Sequence, residues 1–143
     1  MTVRLESYDD ALHRGAVIAL WQQAFGYEAE HNTPTLVIEK KLAVDDDLFI
    51  VAIDGDDVIG TVIGGYDGHR GWIYSMAVEP DRRHEGIGSE LLREVESRLV
   101  TLGCLKVNLQ IMPGNEAVRR FYDSLGYTEE PRTSMGKRLR SSD

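Results

Sequence analysis

The chain holds a single cysteine, Cys104, so an internal disulfide is excluded. That fits a reducing compartment, and a cytoplasmic location is expected. No apolar run is long enough to cross a bilayer, and the first residues carry acidic Glu6, Asp9 and Asp10. Neither a signal peptide nor a membrane span is expected. An excess of positive charge is also missing. Sixteen Lys and Arg face 24 Asp and Glu, for a net charge of −8. Such a chain is poorly suited to a phosphate backbone, so nucleic acid is not the expected partner. There is no repeat, low-complexity stretch or interdomain linker. No His, Cys and carboxylate spacing points to a metal. No Gly-Lys-Ser/Thr follows the glycine loop described below, which weakens a nucleotide-binding reading.

The 143 residues, 42% of them hydrophobic, suit one domain over residues 1–143 that buries its own core. Charge is uneven: residues 1–60 carry 12 acidic and 4 basic side chains, while the remainder balances. Solubility accounts for this. An acidic lining that draws in a cationic substrate accounts for it too.

Alternation over Thr2–Ser7 predicts an edge strand. Asp9 or Asp10 can cap a helix running to Phe25, with Ala11, Val17, Ile18 and Trp21 as its stripe. Tyr27–Thr35 reads as a connection, and Pro34 opens a second helix carrying Leu36, Val37, Ile38 and Leu42. Leu48–Ile53 and Val58–Ile63 flank Asp54-Gly55-Asp56-Asp57, which predicts a hairpin. Trp72–Val78 is a third central strand after a glycine-rich turn. A helix is predicted over Gly86–Leu102, with Ile87, Leu91, Leu92, Val95, Leu99 and Val100 apolar and Gly103 as the stop. Leu105–Ile111 reads as a strand and Ala117–Leu125 as a helix closed by Gly126. Tyr127–Glu130 and Ser134–Leu139 are expected as final strands. The order is α+β, and a mixed sheet with helices on both faces is the simplest architecture.

The most informative stretch is Met76-Ala77-Val78-Glu79-Pro80-Asp81-Arg82-Arg83-His84-Glu85-Gly86-Ile87-Gly88-Ser89. A buried strand enters a loop whose glycines open an amphipathic helix. Backbone N–H groups and the positive end of the helix together form an anion site suited to a pyrophosphate. Gly86 and Gly88 let the backbone approach the phosphates. Arg82, Arg83 and His84 put basic groups beside them. An ordinary strand–loop–helix connection that uses glycines for turning is the plainer alternative.

Arg83-His84-Glu85-Gly86-Ile87-Gly88 matches the motif Arg/Gln-x-x-Gly-x-Gly/Ala, and Asn115-Glu-Ala-Val-Arg-Arg-Phe-Tyr-Asp-Ser-Leu-Gly-Tyr127 matches Asn…Ala…Phe-Tyr-x-x-Leu-Gly-Phe/Tyr. On these two blocks, one helix and one strand apart, the sequence resembles the GNAT acetyltransferases over roughly residues 2–139. Gly64–Gly71 is similar to the small bacterial YpeA-like subgroup, and more distantly to ribosomal-protein alanine acetyltransferases. The resemblance implies a GNAT-like mixed central sheet and acetyl-CoA as co-substrate, with no metal. It implies an amine acceptor, either a small molecule or a peptide, and by association alone a homodimer. Met76, Ala77, Val78, Arg83, His84, Glu85, Gly86, Ile87, Gly88, Ser89, Asn115 and Tyr122 would contact acetyl-CoA.

In this picture an amine attacks the thioester, and a backbone N–H near Val78 meets the charge that develops on oxygen. Tyr122 is the implied acid for the departing thiolate. Read without the family, Phe121 and Tyr122 are helix packing residues. Asn115 reads as a helix cap or as a contact to the pantetheine arm. The departures matter. Glu85 brings negative charge to the loop. Trp72 and Gln110 stand where relatives carry glutamate bases, which leaves Glu79, Asp67 and His69 as weak base candidates. Trp72 and Tyr74 are expected in the core or on a cleft wall. A non-catalytic acyl-CoA sensor on the same fold is the alternative function.

Overall fold

Short β-branched runs bounded by Gly and Asp form a five-stranded sheet in the computed structural model, which describes residues 3–25 and 33–140. The strands are β1 (Val3–Ser7), β2 (Phe49–Asp54), β3 (Asp57–Tyr66), β4 (Gly71–Val78) and β5 (Val107–Asn108), ordered β1-β2-β3-β4-β5. The first three pairings are antiparallel, and β4 and β5 run parallel. The helices are α1 (Asp10–Ala24), α2 (Pro34–Val44), α3 (Ile87–Thr101) and α4 (Glu116–Ser124). The expected α+β class and mixed sheet are observed.

Local signals set the ends of these elements. Asp9 caps α1, its carboxylate accepting from the N–H groups of Ala11 and Leu12 at 3.0 and 3.3 Å. Pro34 sits at the first turn of α2. Gly55 takes a φ of 63° at the first central position of the β2–β3 turn. Most of the Tyr27–Thr35 connection lies outside the described residues, as does Thr2.

The two faces of the sheet are built differently. On one, Val17, Leu20 and Trp21 of α1 and Ile38 of α2 pack with Phe49, Val51, Ile53, Ile63 and Ala77. On the other lies α3, whose stripe Ile87, Leu91, Leu92, Val95 and Leu99 is fully buried. Val100, expected in that stripe, is exposed. The strand β3 meets α3 with glycine. A Cβ on Gly64 would fall 2.6 Å from Val95 Cγ2, and one on Gly60 3.0 Å from Leu91 Cδ1. Alternation puts both on the α3 face, so the helix lies almost against the backbone.

The strand β4 carries an irregularity. Thr61 pairs with Ala77, but Ile63 pairs with Tyr74, so β4 spends one extra residue across that interval. Ser75, within it, has a φ of 51°, a left-handed conformation uncommon outside glycine. On its other edge β4 pairs with β5 only at Gly71–Val107 and Trp72–Asn108. From Ile73 onward β4 has no register partner in β5.

Contacts gather into two compact units, Met1–Leu109 and Gln110–Asp143. The sheet and α1–α3 belong to the first, α4 to the second. Three expectations need correction. The strand predicted over Leu105–Ile111 is limited to Val107–Asn108, because Leu105 points to solvent and Pro113 and Gly114 follow closely. Among the described residues, Tyr127–Glu130 and Ser134–Leu139 form no strand. Charge and Pro131 crowd that stretch, and Met135 and Leu139 are exposed, so no apolar face is buried to hold a pairing.

Candidate active site

The bulge in β4 is held by a chain of hydrogen bonds that starts in the core. The Trp21 indole N–H donates to Thr61 Oγ1 at 2.8 Å, and Thr61 Oγ1 donates to the Ser75 carbonyl at 2.9 Å. The Glu79 N–H donates across to the Ile59 carbonyl of β3 at 2.9 Å. Neighbouring N–H groups of a strand point to opposite edges, so the Val78 N–H faces away from β3. That is the edge β5 leaves open. Met76 and Val78 are half-buried along it, and Ala77 turns into the core.

The strand then runs into a 3₁₀ turn, Pro80–Arg82, and on to α3. Gly86 is the N-cap with a φ of 83°, and no side chain caps the helix. The Glu90 N–H is the first to bond back, to Gly86. The N–H groups of Ile87, Gly88 and Ser89 therefore precede the helix ladder, as every helix start requires. A Cβ on Gly86 would meet no atom within 4 Å, so the space beside it is open. Arg83 is exposed, and its guanidinium forms no ion pair among the described residues. His84 is exposed with a φ of 67°.

Arg82 has a different task from the one its sequence position implied. Its guanidinium reaches Asp54 at the end of β2 at 2.9 Å and Glu85 at 3.2 Å. Those two carboxylates, Asp54 first, hold its pKa above the ordinary guanidinium value. Arg82 thus ties the loop to the sheet and engages the Glu85 carboxylate. The negative charge that departs from the family pattern is already paired. Loop glycines, free N–H groups and an unengaged Arg83 fit a diphosphate.

In the second unit, Tyr122 is buried. Its ring stacks edge-on with Phe121 and Tyr127, with centroids 5.0 and 5.5 Å away. Burial pushes its phenol up to about 12. Asn115 occupies the N-cap position of α4, as expected, although its side chain makes no capping hydrogen bond.

Glu79 is half-buried and forms no ion pair among the described residues. The Asp67 carboxylate is taken up by its own turn, accepting from the N–H groups of Arg70 and His69, which holds its pKa low. Trp72 and Tyr74 are not in the core. They are 37% and 44% exposed on β4 and leave an open aromatic face. Among the described residues, no cluster of His, Cys, Asp and Glu could hold a metal ion, and no helix is long and apolar enough to cross a membrane. Sequence reasoning missed Thr61 and its partners, because a threonine inside an apolar strand reads as packing.

An α+β fold whose bulged strand feeds a helix start able to receive an anion is the class these features define. Residues 14–127 match the model described as the acetyltransferase (GNAT) family, and the chain belongs to that family. It is 40% identical over 139 residues to an acetyltransferase of Pectobacterium atrosepticum, covering 97% of this chain and 96% of that one. Among solved structures, AAC(6')-Iy in complex with a CoA-S-monomethyl-acetylneamine bisubstrate analogue aligns with a TM-score of 0.75 at 16% identity, over 98% of this chain and 99% of that one. The ribosomal-protein-S18-alanine N-acetyltransferase from Escherichia coli aligns with a TM-score of 0.70 at 18% identity, over 90% and 79%. At such identities the likeness concerns the fold.

Proposed function

We propose that this chain transfers an acetyl group from acetyl-CoA to a primary amine by direct attack in a ternary complex, with residues 1–143 acting as one catalytic domain. The observation that carries the reading is the continuity of an open β4 edge with an uncapped α3 N-terminus. The N–H groups of Gly86 to Ser89 and the Arg83 side chain hold the pyrophosphate. Gly86 and Gly88 admit it, and Ile87 anchors the helix start in the core. His84 borders the loop. Arg82 keeps Glu85 paired and the loop in place. Met76, Ala77 and Val78 line the pantetheine arm, and the Val78 N–H donates to the thioester oxygen as charge builds there.

For the proton steps, Tyr122 donates to the departing sulfur and Asn115 contacts the pantetheine arm, both on the strength of the family motif. Glu79 is the group closest in sequence to the bulged strand that can take a proton from the amine. An α-amine, with a reference pKa of about 7.7–8.0, needs less help than a lysine near 10.4. The acceptor is a small-molecule or peptide amine, and the aminoglycoside-derived analogue bound by one structural neighbour supports the former. A cytoplasmic setting supplies acetyl-CoA.

Two measurements test this. Acetyl-CoA at about 100 times its dissociation constant should add roughly 2.7 kcal/mol of stability. Thiol release across a panel of amines should find turnover. A melting temperature unmoved by saturating acetyl-CoA overturns the reading. Binding without turnover on any amine favours the non-catalytic acyl-CoA sensor.

A further inference from the structure

A bulge normally leaves a carbonyl without a ladder partner. Here the Ser75 carbonyl finds one in the Thr61 hydroxyl, 2.9 Å away. Thr61 is fully buried, so its hydroxyl has no water to turn to instead. A hydroxyl has one proton and can rotate, and its direction is a matter of its neighbours. The Trp21 indole can only donate, and it donates to Thr61 Oγ1 at 2.8 Å. The threonine proton is thereby directed to Ser75. Trp21 is itself buried in α1, stacked on Phe49 with centroids 5.7 Å apart. The chain therefore runs from a rigid helix, through β3, to the left-handed residue of β4. Thr61 also faces Ala77 in the register, one residue before Val78.

We infer that Thr61, oriented by Trp21, is a positioning residue for acetyl transfer: its hydroxyl pins the Ser75 bulge and so aims the Val78 N–H along the open β4 edge. This inference rests on the reading of that edge as the acetyl-donor slot. Without the hydroxyl, the Ser75 carbonyl loses its buried partner. The bulge then relaxes toward a regular ladder or shifts, and either change moves Val78. A displacement of about 1 Å at a reacting group can cost on the order of 100-fold in rate. The pyrophosphate loop begins beyond Glu79 and is anchored separately, by Arg82 on Asp54. Binding should therefore survive where turnover does not.

The test compares Thr61→Val, which keeps the shape and loses the hydroxyl, with Thr61→Ser, which keeps the hydroxyl, and with Trp21→Phe. Each is measured for kcat and KM, for acetyl-CoA affinity by calorimetry, and for amide exchange at Met76, Ala77 and Val78. Thr61→Val should lower kcat by about 10- to 100-fold, move the dissociation constant by less than about threefold, and speed exchange at those amides. Thr61→Ser should restore all three, and Trp21→Phe should fall between. Wild-type kcat in Thr61→Val overturns the inference. So does a Thr61→Ser variant as impaired as Thr61→Val, which would assign the effect to methyl packing. If Thr61→Val fails to fold, Trp21→Phe decides, with unchanged kcat and exchange overturning the inference. A wild-type protein inert toward every amine sinks the acetyl-transfer reading instead, and the exchange comparison still decides whether the hydroxyl pins the bulge.

Discussion

Removing the phenol oxygen of Tyr122 separates packing, ionisation and catalysis. Tyr122→Phe keeps the ring and its edge-on contacts to Phe121 and Tyr127. Burial raises the phenol from 10.0 to about 12. The folded state thus binds the proton more tightly than the unfolded chain, and the associated stability is complete below pH 10. Between pH 10 and about 12 the unfolded tyrosine ionises while the folded one does not, so stability falls as pH rises. Two units at about 1.4 kcal/mol each make a loss of roughly 3 kcal/mol, which Tyr122→Phe should not show. Urea unfolding of both proteins at steps from pH 8 to 12 measures the difference. At neutral pH the two should match in stability, since the ring still fills its site. Turnover should differ, because loss of a general acid costs on the order of 10²–10⁴-fold. The pH–rate profile below pH 10 should keep its shape in the variant, since this phenol stays protonated throughout that range. Parallel stability curves for the two proteins up to pH 12 would refute the burial argument. Near-normal turnover in Tyr122→Phe would return the residue to packing alone.

Gly86→Val should abolish acetyl-CoA binding and leave a folded protein. The side chain would enter open space, at a strain cost of about 1–2 kcal/mol for the left-handed backbone, and calorimetry beside a melting curve checks both halves. Arg82→Met should weaken acetyl-CoA binding by freeing the loop from Asp54 and uncovering the Glu85 charge, while Glu85→Gln in that background should recover part of the loss in the same titration. Gly64→Ala should destabilise the fold by about 1–3 kcal/mol, because its methyl would overlap Val95, and denaturant unfolding measures it. If the acidic excess of residues 1–60 attracts the acceptor, KM for a cationic amine should rise with salt. A salt-independent KM would leave solubility as its role.

Periodicity and turn chemistry carried most of the first unit. Asp9, Pro34, Gly55 and the α3 stripe each announce a boundary or a face through a local rule, and each is found in its expected place apart from Val100, which is exposed. The loop from Arg83 to Gly88 stands out in the sequence because basic residues, glycines and a helix start follow one another closely there. The errors share a cause in tertiary context. Trp72 and Tyr74 alternate as core residues do, yet both are partly exposed, which sets aside the core reading and leaves that of a cleft wall. Arg82 and Arg83 are adjacent and identical in type, and only the proximity of Asp54, 28 positions away, tells anchor from free cation. Thr61 is silent for the same reason, since its partners lie 40 and 14 positions away. The predicted strands beyond Tyr127 rested on short alternation in a charged stretch, where no buried face existed to enforce it.

The α2 terminus has a consequence for an acetyltransferase. Lys41 is 7% exposed, and its ammonium bonds the Gly64 carbonyl at 2.6 Å and Asp46 at 2.7 Å. A lysine becomes a nucleophile only after giving up its proton and turning a lone pair outward. The Lys41 nitrogen points inward, donating to a carbonyl and a carboxylate. Exposed Lys40, its sequence neighbour, has no such shield. Where acetyl donors are concentrated, the structural amine is the one withheld from acylation. In a footprint with a reactive anhydride, Lys41 should label only as the fold opens, making it a built-in reporter of unfolding.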